Sequence, residues 1–228
     1  MPIGMVNSSN VKTSADRVGK KLIDNNLSVV NWSSLKNFKG IPLVGSYNID
    51  AEGISPADGI ELVREGILKR HLSGSVPTLK SSESTGSVRF GFLLTSASVG
   101  LSPGILEFKA KHTMTDARLR KELLKLAKNE GLDYAYVVKR ISKESQVLIR
   151  LNVADGSEEV ISGAEIQEIG LSNLRRIAGI SKETSANNHT YRFSFPISVI
   201  HPNGIILEDI QINRKQLVSL KETSLVKD

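Results

Sequence analysis

The side chains of this 228-residue chain that could hold a metal or move a proton are few and scattered. Its four histidines, His71, His112, His189 and His201, include no two spaced one helical turn apart, and the chain has no cysteine. A catalytic zinc needs three protein ligands and an open position for the water it activates, and this set predicts none. Serines are plentiful, so a Ser-His-Asp triad can be drawn on paper, yet no Gly-x-Ser-x-Gly nucleophile elbow is expected. Asp50, Glu52 and Asp58 could form a paired-carboxylate or calcium site. The turn that carries them lacks the ligand periodicity of a calcium loop, which leaves carboxylates that bond their own backbone. No glycine loop precedes a helix to cradle phosphate. Without cysteine there is neither disulfide nor thiolate chemistry.

The elements that must position such residues are organised around Ile41 to Leu72. Pro42 to Ile49 reads as a strand, Asp50, Glu52 and Gly53 as a tight acidic turn, and Ile60 to Val63 as a second strand. Arg64-Glu65-Gly66 then turns the chain into Ile67-Leu68-Lys69, because glycine accepts positive φ at no steric cost. Before this stretch, Leu22 to Trp32 reads as a strand or hairpin and Trp32 to Gly40 as a loop. After it, the Ser- and Gly-rich run to Gly91 predicts a long surface loop containing Ser84 to Arg89. Phe90 to Leu94 is a short apolar run, Ser96 to Gly104 a loop, and the stretch from Leu106 to His112 alternates like a half-buried strand.

One helix is expected from Asp116 to Glu130. Thr115 can cap it, Asp116 suits its dipole, and Leu119, Leu123, Leu126 and Ala127 recur at helical spacing before Gly131 ends it. Leu132 to Ile141 reads as a strand that projects Tyr134 and Tyr136 to one side. Gln146 to Val153 and Glu158 to Ile166 form a hairpin about Asp155-Gly156. Leu171 to Ile180 suggests a short helix and Ser181 to Asn188 a polar loop. Tyr191 to Ile200 and Gly204 to Ile212 read as two strands about His201-Pro202-Asn203-Gly204. The fold class is α+β: a mostly antiparallel sheet, curled or barrel-like, with one long helix packed on it. Residues 1–13 form a turn-rich leader, 14–213 one domain and 214–228 a charged tail.

Composition sets outer limits. The chain is 39% hydrophobic and 24% charged, with only 5% aromatic residues, so its core must be mostly Leu, Ile and Val. Net charge is +6 and pI about 9.5, which permits a nucleic-acid partner, although 30 basic residues lie among 24 acidic ones. Nothing approaches the roughly 20 apolar residues of a membrane helix, and the polar N-terminus is no signal peptide. A cytoplasmic location without membrane attachment is the default expectation.

Several segments resemble the TldD/PmbA family of zinc metallopeptidases, once described as modulators of DNA gyrase. They are Asp50-Ala51-Glu52-Gly53, then Leu62 to Lys69 with Leu72-Ser73 after it, and the helix-to-strand join Glu130 to Arg140. Glu159-Val160-Ile161-Ser162-Gly163-Ala164 is similar to the family's ELVRGA, with Ser162 in place of arginine. Ser84 to Arg89 stands where relatives carry an Asn-Gly-His-Gly-Arg-like motif and keeps only Gly86 and Arg89. The resemblance runs from about Asp16 to Asn213 and looks like the family's C-terminal part, starting just past the metal-binding helix.

The family's HExxxH helix and its third-ligand Cys have no counterpart here. The resemblance therefore implies no cofactor in this chain, although the family uses zinc, and no catalytic residue. It implies a fragment of a longer chain or a degenerate paralogue, in either case a partner for peptide processing. The expected partners are a peptide or unfolded polypeptide, held by strand addition to an open sheet edge, and a second copy or a TldD/PmbA relative in a dimer. Asp50, Glu52, Arg89, Tyr134 and Tyr136 are the candidate contact residues. The alternative is a basic nucleic-acid-binding module, which would need aromatics interleaved with basic residues on one sheet face. Only Tyr134, Tyr136, Lys139 and Arg140 approach that pattern.

Overall fold

Leu27–Trp32 reads LSVVNW, and of these six residues only Ser28 and Trp32 are not buried. A strand that apolar must be covered on both faces and paired on both edges, and it is. In the computed structural model, which describes residues 17–76, 83–93, 96–141, 146–167, 169–192 and 194–214, it is the strand β1. There follow β2 (Asn37–Phe38), β3 (Ile41–Pro42), β4 (Ile60–Arg64), β5 (Ile67–Leu68), β6 (Val88–Leu93), β7 (Ser96–Leu101) and β8 (Ile105–Ala110). The helix α1 (Asp116–Asn129) leads to β9 (Tyr134–Ile141), β10 (Gln146–Asn152), β11 (Glu158–Ile161) and β12 (Ala164–Ile166). A 3-10 turn at Asn173–Arg175 precedes β13 (Ile177–Ile180), β14 (Thr184–Tyr191), β15 (Phe195–Pro202), β16 (Ile205–Leu207) and β17 (Ile212–Arg214). The expected leader, 1–13, and nearly all of the expected tail lie outside the described residues.

The chain divides into two units, one of Met1–Leu119 with Gly170–Glu208, the other of Arg120–Ile169 with Asp209–Asp228. The first holds a six-stranded sheet in the order β14-β15-β8-β1-β4-β5, antiparallel except where β15 runs parallel to β8. One core cluster gathers Ile23, Leu27, Val29, Val63, Leu68 and Ile180; another gathers Leu43, Ile105, Ala186 and Ile200. The second unit holds the sheet β11-β10-β9, against which Leu123, Leu124 and Ala127 of α1 pack with Ala135, Ile149 and Leu151.

The expected hairpin of the organising stretch forms. Val63 lies opposite Leu68 and Arg64 opposite Ile67, joined by Glu65 and Gly66 at φ 45° and 76°, the two positive values of a type I′ turn. A Cβ on Gly66 would also stand 2.5 Å from the Ile23 carbonyl oxygen, so glycine is required twice over. The helix forms one residue shorter than expected at its C-terminal end. The Arg118 amide donates to the Thr115 hydroxyl at 3.4 Å, and Gly131 (φ 70°) and Leu132 donate back to the Lys128 and Ala127 carbonyls, which closes a Schellman motif.

Several expectations fail, each for a physical reason. The sheets are open, not barrel-like, since the main sheet ends at β14 and at the two-residue β5. The helix, at 14 residues, is of ordinary length. No strand fills Pro42 to Ile49. Pairing stops at Pro42, and Gly45 is pressed so close to Gly104 and Ser198 that a Cβ would lie 2.1 Å from the Gly104 carbonyl oxygen. Ser96 to Gly104 is mostly the strand β7, whose small Ser, Ala and Gly residues hide its alternation while it pairs with β6 over six rungs.

Glu158 to Ile166 is two strands, broken at Gly163 (φ 75°), and β12 leaves β10 to pair with β17. Leu171 to Ile180 holds only the 3-10 turn before β13, because Ile177 and Ile180 pair with β16 instead of lining a helix. The supposed loop Ser181 to Asn188 is largely β14, whose partner is β15 through eight rungs, so β15 and β16 do not form the expected pair.

Candidate functional site

The sequence of β14, TSANNHTY, contains one buried residue, Ala186, and no charge. Such a segment is held as a strand by its neighbour, not by its own hydrophobicity. Its outward face follows from three bonds. Ser198 of β15 donates its backbone N–H to the Gly104 carbonyl at 3.0 Å, so the even-numbered residues of β15 point their backbone groups toward β8 and the odd ones toward β14. Asn187 lies opposite Val199, and just before the strand the Asn203 amide donates to the Glu183 carbonyl at 2.8 Å, so the odd-numbered residues of β14 face inward. The even ones face out, as Thr184 confirms by accepting from the Lys39 ammonium at 2.7 Å. Beyond Thr184, the outward N–H and C=O groups of Ala186, Asn188 and Thr190 have no protein partner among the described residues. Asn188 and Thr190 are exposed, whereas Ala186 is only 5% exposed.

This open row is braced from behind. The Asn188 carboxamide oxygen accepts from the Ser198 hydroxyl at 2.7 Å and the Val44 amide at 3.3 Å, while its nitrogen donates to the Pro42 carbonyl at 2.9 Å. Ser198, wholly buried, in turn accepts from the Gly45 amide at 3.0 Å. Arg89 donates from Nη1 to the carbonyls of Gly45 (3.2 Å) and Pro103 (3.0 Å), and its guanidinium lies 4.4 Å from the Tyr47 ring centre. Burial pushes the Arg89 pKa down, with the charge of Tyr47 opposing, and burial pushes the Tyr47 hydroxyl up.

The structure brings three of the five anticipated contact residues into one region of the first unit. Arg89 is 7% exposed and spends its Nη1 donors on backbone carbonyls. Asp50, also 7% exposed, accepts from the amides of Glu52 and Ile54 (each 2.9 Å) and Val88 (3.3 Å). Glu52 accepts from the Ser75 amide at 2.6 Å. Tyr134 and Tyr136, each 38% exposed, belong to the second unit and occupy the sheet face opposite Ala135 and Val137. Arg150 lies 4.4 Å from the Tyr134 ring and 2.5 Å from the Glu159 carboxylate.

Among the described residues no three His, Cys, Asp or Glu side chains converge. His201 spends both ring nitrogens, Nε2 at 2.8 Å from the Asn187 side-chain Nδ2 and Nδ1 at 2.8 Å from the Pro202 carbonyl. Contrary to expectation, Gly100-Leu101-Ser102-Pro103-Gly104 does have the Gly-x-Ser-x-Gly spacing. It joins two strands instead of a strand and a helix, and Ser102 is wholly buried, so it presents no nucleophile. The residues that sequence reasoning missed are Asn188, Thr190 and Lys39. The signal available was the apolar run of β15, which needed a partner strand of equal length.

No family model matches the chain, and no curated protein matches it. Solved structures do. One is a Thermotoga maritima protein described as a candidate modulator of a DNA gyrase, with TM-score 0.54 and 17% identity over 86% of this chain and 41% of that one. A second is TldE from Thermococcus kodakarensis, with TM-score 0.47 and 13% identity over 87% and 40%. A third, from Bacteroides thetaiotaomicron and also described as a candidate DNA gyrase modulator, gives 0.45 and 10% over 87% and 39%. The chain spans about two fifths of the length of each. The likeness to the Thermotoga protein shows a TldD/PmbA-like fold.

Proposed function

We propose that this chain, with its TldD/PmbA-like fold, is a non-catalytic module that holds an extended peptide or unfolded polypeptide for processing, as a fragment or partner subunit of a peptidase assembly. It works without zinc of its own, in the cytoplasm, as a dimer or beside a TldD/PmbA relative that supplies the chemistry. The observation that carries this reading is the outward backbone row of β14 at Asn188 and Thr190, which is what strand addition requires. Main-chain bonds hold a substrate without demanding its sequence, which suits a clientele of unfolded chains.

A Thr190→Pro variant tests it. The Thr190 N–H faces outward, so proline removes a donor that the fold does not use. The melting temperature should stay within about 3 °C of wild type, consistent with a surface change of roughly 0.5 kcal/mol. Binding of a fluorescent extended peptide should weaken at least tenfold. Unchanged binding would refute the edge as the site.

A second reading places nucleic acid on the sheet face bearing Tyr134 and Tyr136, where bases could stack. It is the weaker one, because Arg150, the cation stacked on Tyr134 among the described residues, is already paired with Glu159.

A further inference from the structure

Resting on the reading of β14 as a peptide-binding edge, we infer that this edge selects acidic peptides. The strand itself is neutral, but a cation stands at each end of it. At the Thr184 end the Lys39 ammonium donates to the Thr184 carbonyl (2.7 Å) and hydroxyl (3.0 Å), which puts it on the same outward row as Asn188 and Thr190. An ammonium has three donors, so one remains. Lys39 is held there by its place in the two-residue turn between β2 and β3, at φ 49° beside Gly40, and by the Phe38 ring 5.2 Å away.

At the other end Arg192 follows the last residue of the strand, also at φ 49°, with its guanidinium 5.3 Å from the Tyr191 ring. Neither cation is paired with a carboxylate among the described residues. The acidic residue next to the strand, Glu183, is engaged with the Ser181 hydroxyl at 3.1 Å.

Thr184 to Tyr191 is seven steps of about 3.4 Å, or roughly 24 Å. An extended peptide of about eight residues that bonds Asn188 and Thr190 is therefore long enough to pass the covered Ala186 and bring one end to the exposed Lys39 and the other to the exposed Arg192. Carboxylates near both ends, from side chains or a free C-terminus, complete two ion pairs. A basic peptide meets two like charges. Because both ends are cationic, charge selects composition and leaves the strand direction to the main-chain bonds.

The test uses three eight-residue peptides with blocked termini and a common neutral centre, carrying glutamate, glutamine or lysine at both ends, titrated against the full chain. At low salt the glutamate peptide should bind about five- to tenfold tighter than the glutamine peptide, the range two exposed ion pairs supply. The margin should shrink several-fold in half-molar salt. The double variant Lys39→Gln with Arg192→Gln should bind the glutamate peptide no better than wild type binds the glutamine peptide. Equal affinities for all three peptides would overturn acidic selection and leave the edge standing. No binding of any of them, with the protein folded, would overturn the edge and this inference together.

Discussion

Ser198 donates its backbone N–H to the Gly104 carbonyl at 3.0 Å, across the parallel junction between β15 and β8. That bond sets the alternation of β15, the alternation of β15 sets that of β14, and so the groups that face outward from the sheet are settled two strands away. A strand register is an all-or-none property, since a slip of one residue turns every group over.

The close approach behind this bond is the first place to break it. A Cβ on Gly45 would stand 2.1 Å from the Gly104 carbonyl oxygen and 2.8 Å from the Ser198 nitrogen, both backbone atoms that cannot swing aside. Gly45→Ala should destabilise the first unit by about 1–3 kcal/mol, the range for overpacking, as measured by urea unfolding. A loss below about 0.5 kcal/mol would show that the two backbones can separate freely.

Asn188 braces the edge from its rear. Asn188→Ala strands the Val44 amide, the Pro42 carbonyl and the buried Ser198 hydroxyl. The expected cost is about 1–3 kcal/mol, seen as a lower urea midpoint, with Asn188→Asp recovering only the accepting half of the interaction.

Acid should act on the turn that carries Asp58. Burial pushes that carboxyl up, but bonds from the Ser34 hydroxyl (2.5 Å) and from the amides of Ser33 (3.0 Å) and Ser34 (3.2 Å) outweigh it and hold the pKa below its ordinary value. A depressed carboxyl contributes stability that is present above its unfolded pKa, near 4, and is lost as pH falls through the folded value. Wild-type stability should therefore decline below about pH 4, and Asp58→Asn should flatten part of that decline while lowering stability at pH 7. Superimposable acid limbs in the two proteins would contradict the assignment.

How much of this was legible beforehand depended on whether a segment carried its own reason for its shape. The Glu65-Gly66 turn, the helix with Thr115 at one end and Gly131 at the other, and the acidic turn at Asp50 all did, because their signals are local. The edge strand did not. Asn187, Asn188 and His189 have the composition of a loop and become a strand only because Val199, Ser198 and Ile197 lie opposite them. The candidate contact residues divide the same way. Asp50 was recognisable as a carboxylate that bonds its own backbone, whereas the engagement of Arg89 with the carbonyls of Gly45 and Pro103 depends on partners 44 and 14 positions away. The resemblance supplied the fold and the idea of strand addition, but the sequence did not say which strand.

Amide hydrogen exchange followed by NMR, with and without an extended peptide, tests the central claim most directly. If the peptide adds to β14, one set of alternate outward amides, Asn188 and Thr190, should slow at least tenfold on addition, while Asn187 and His189, already bonded to β15, change little. If the peptide binds and those two amides exchange at their free rate, the edge of β14 is not where it is held.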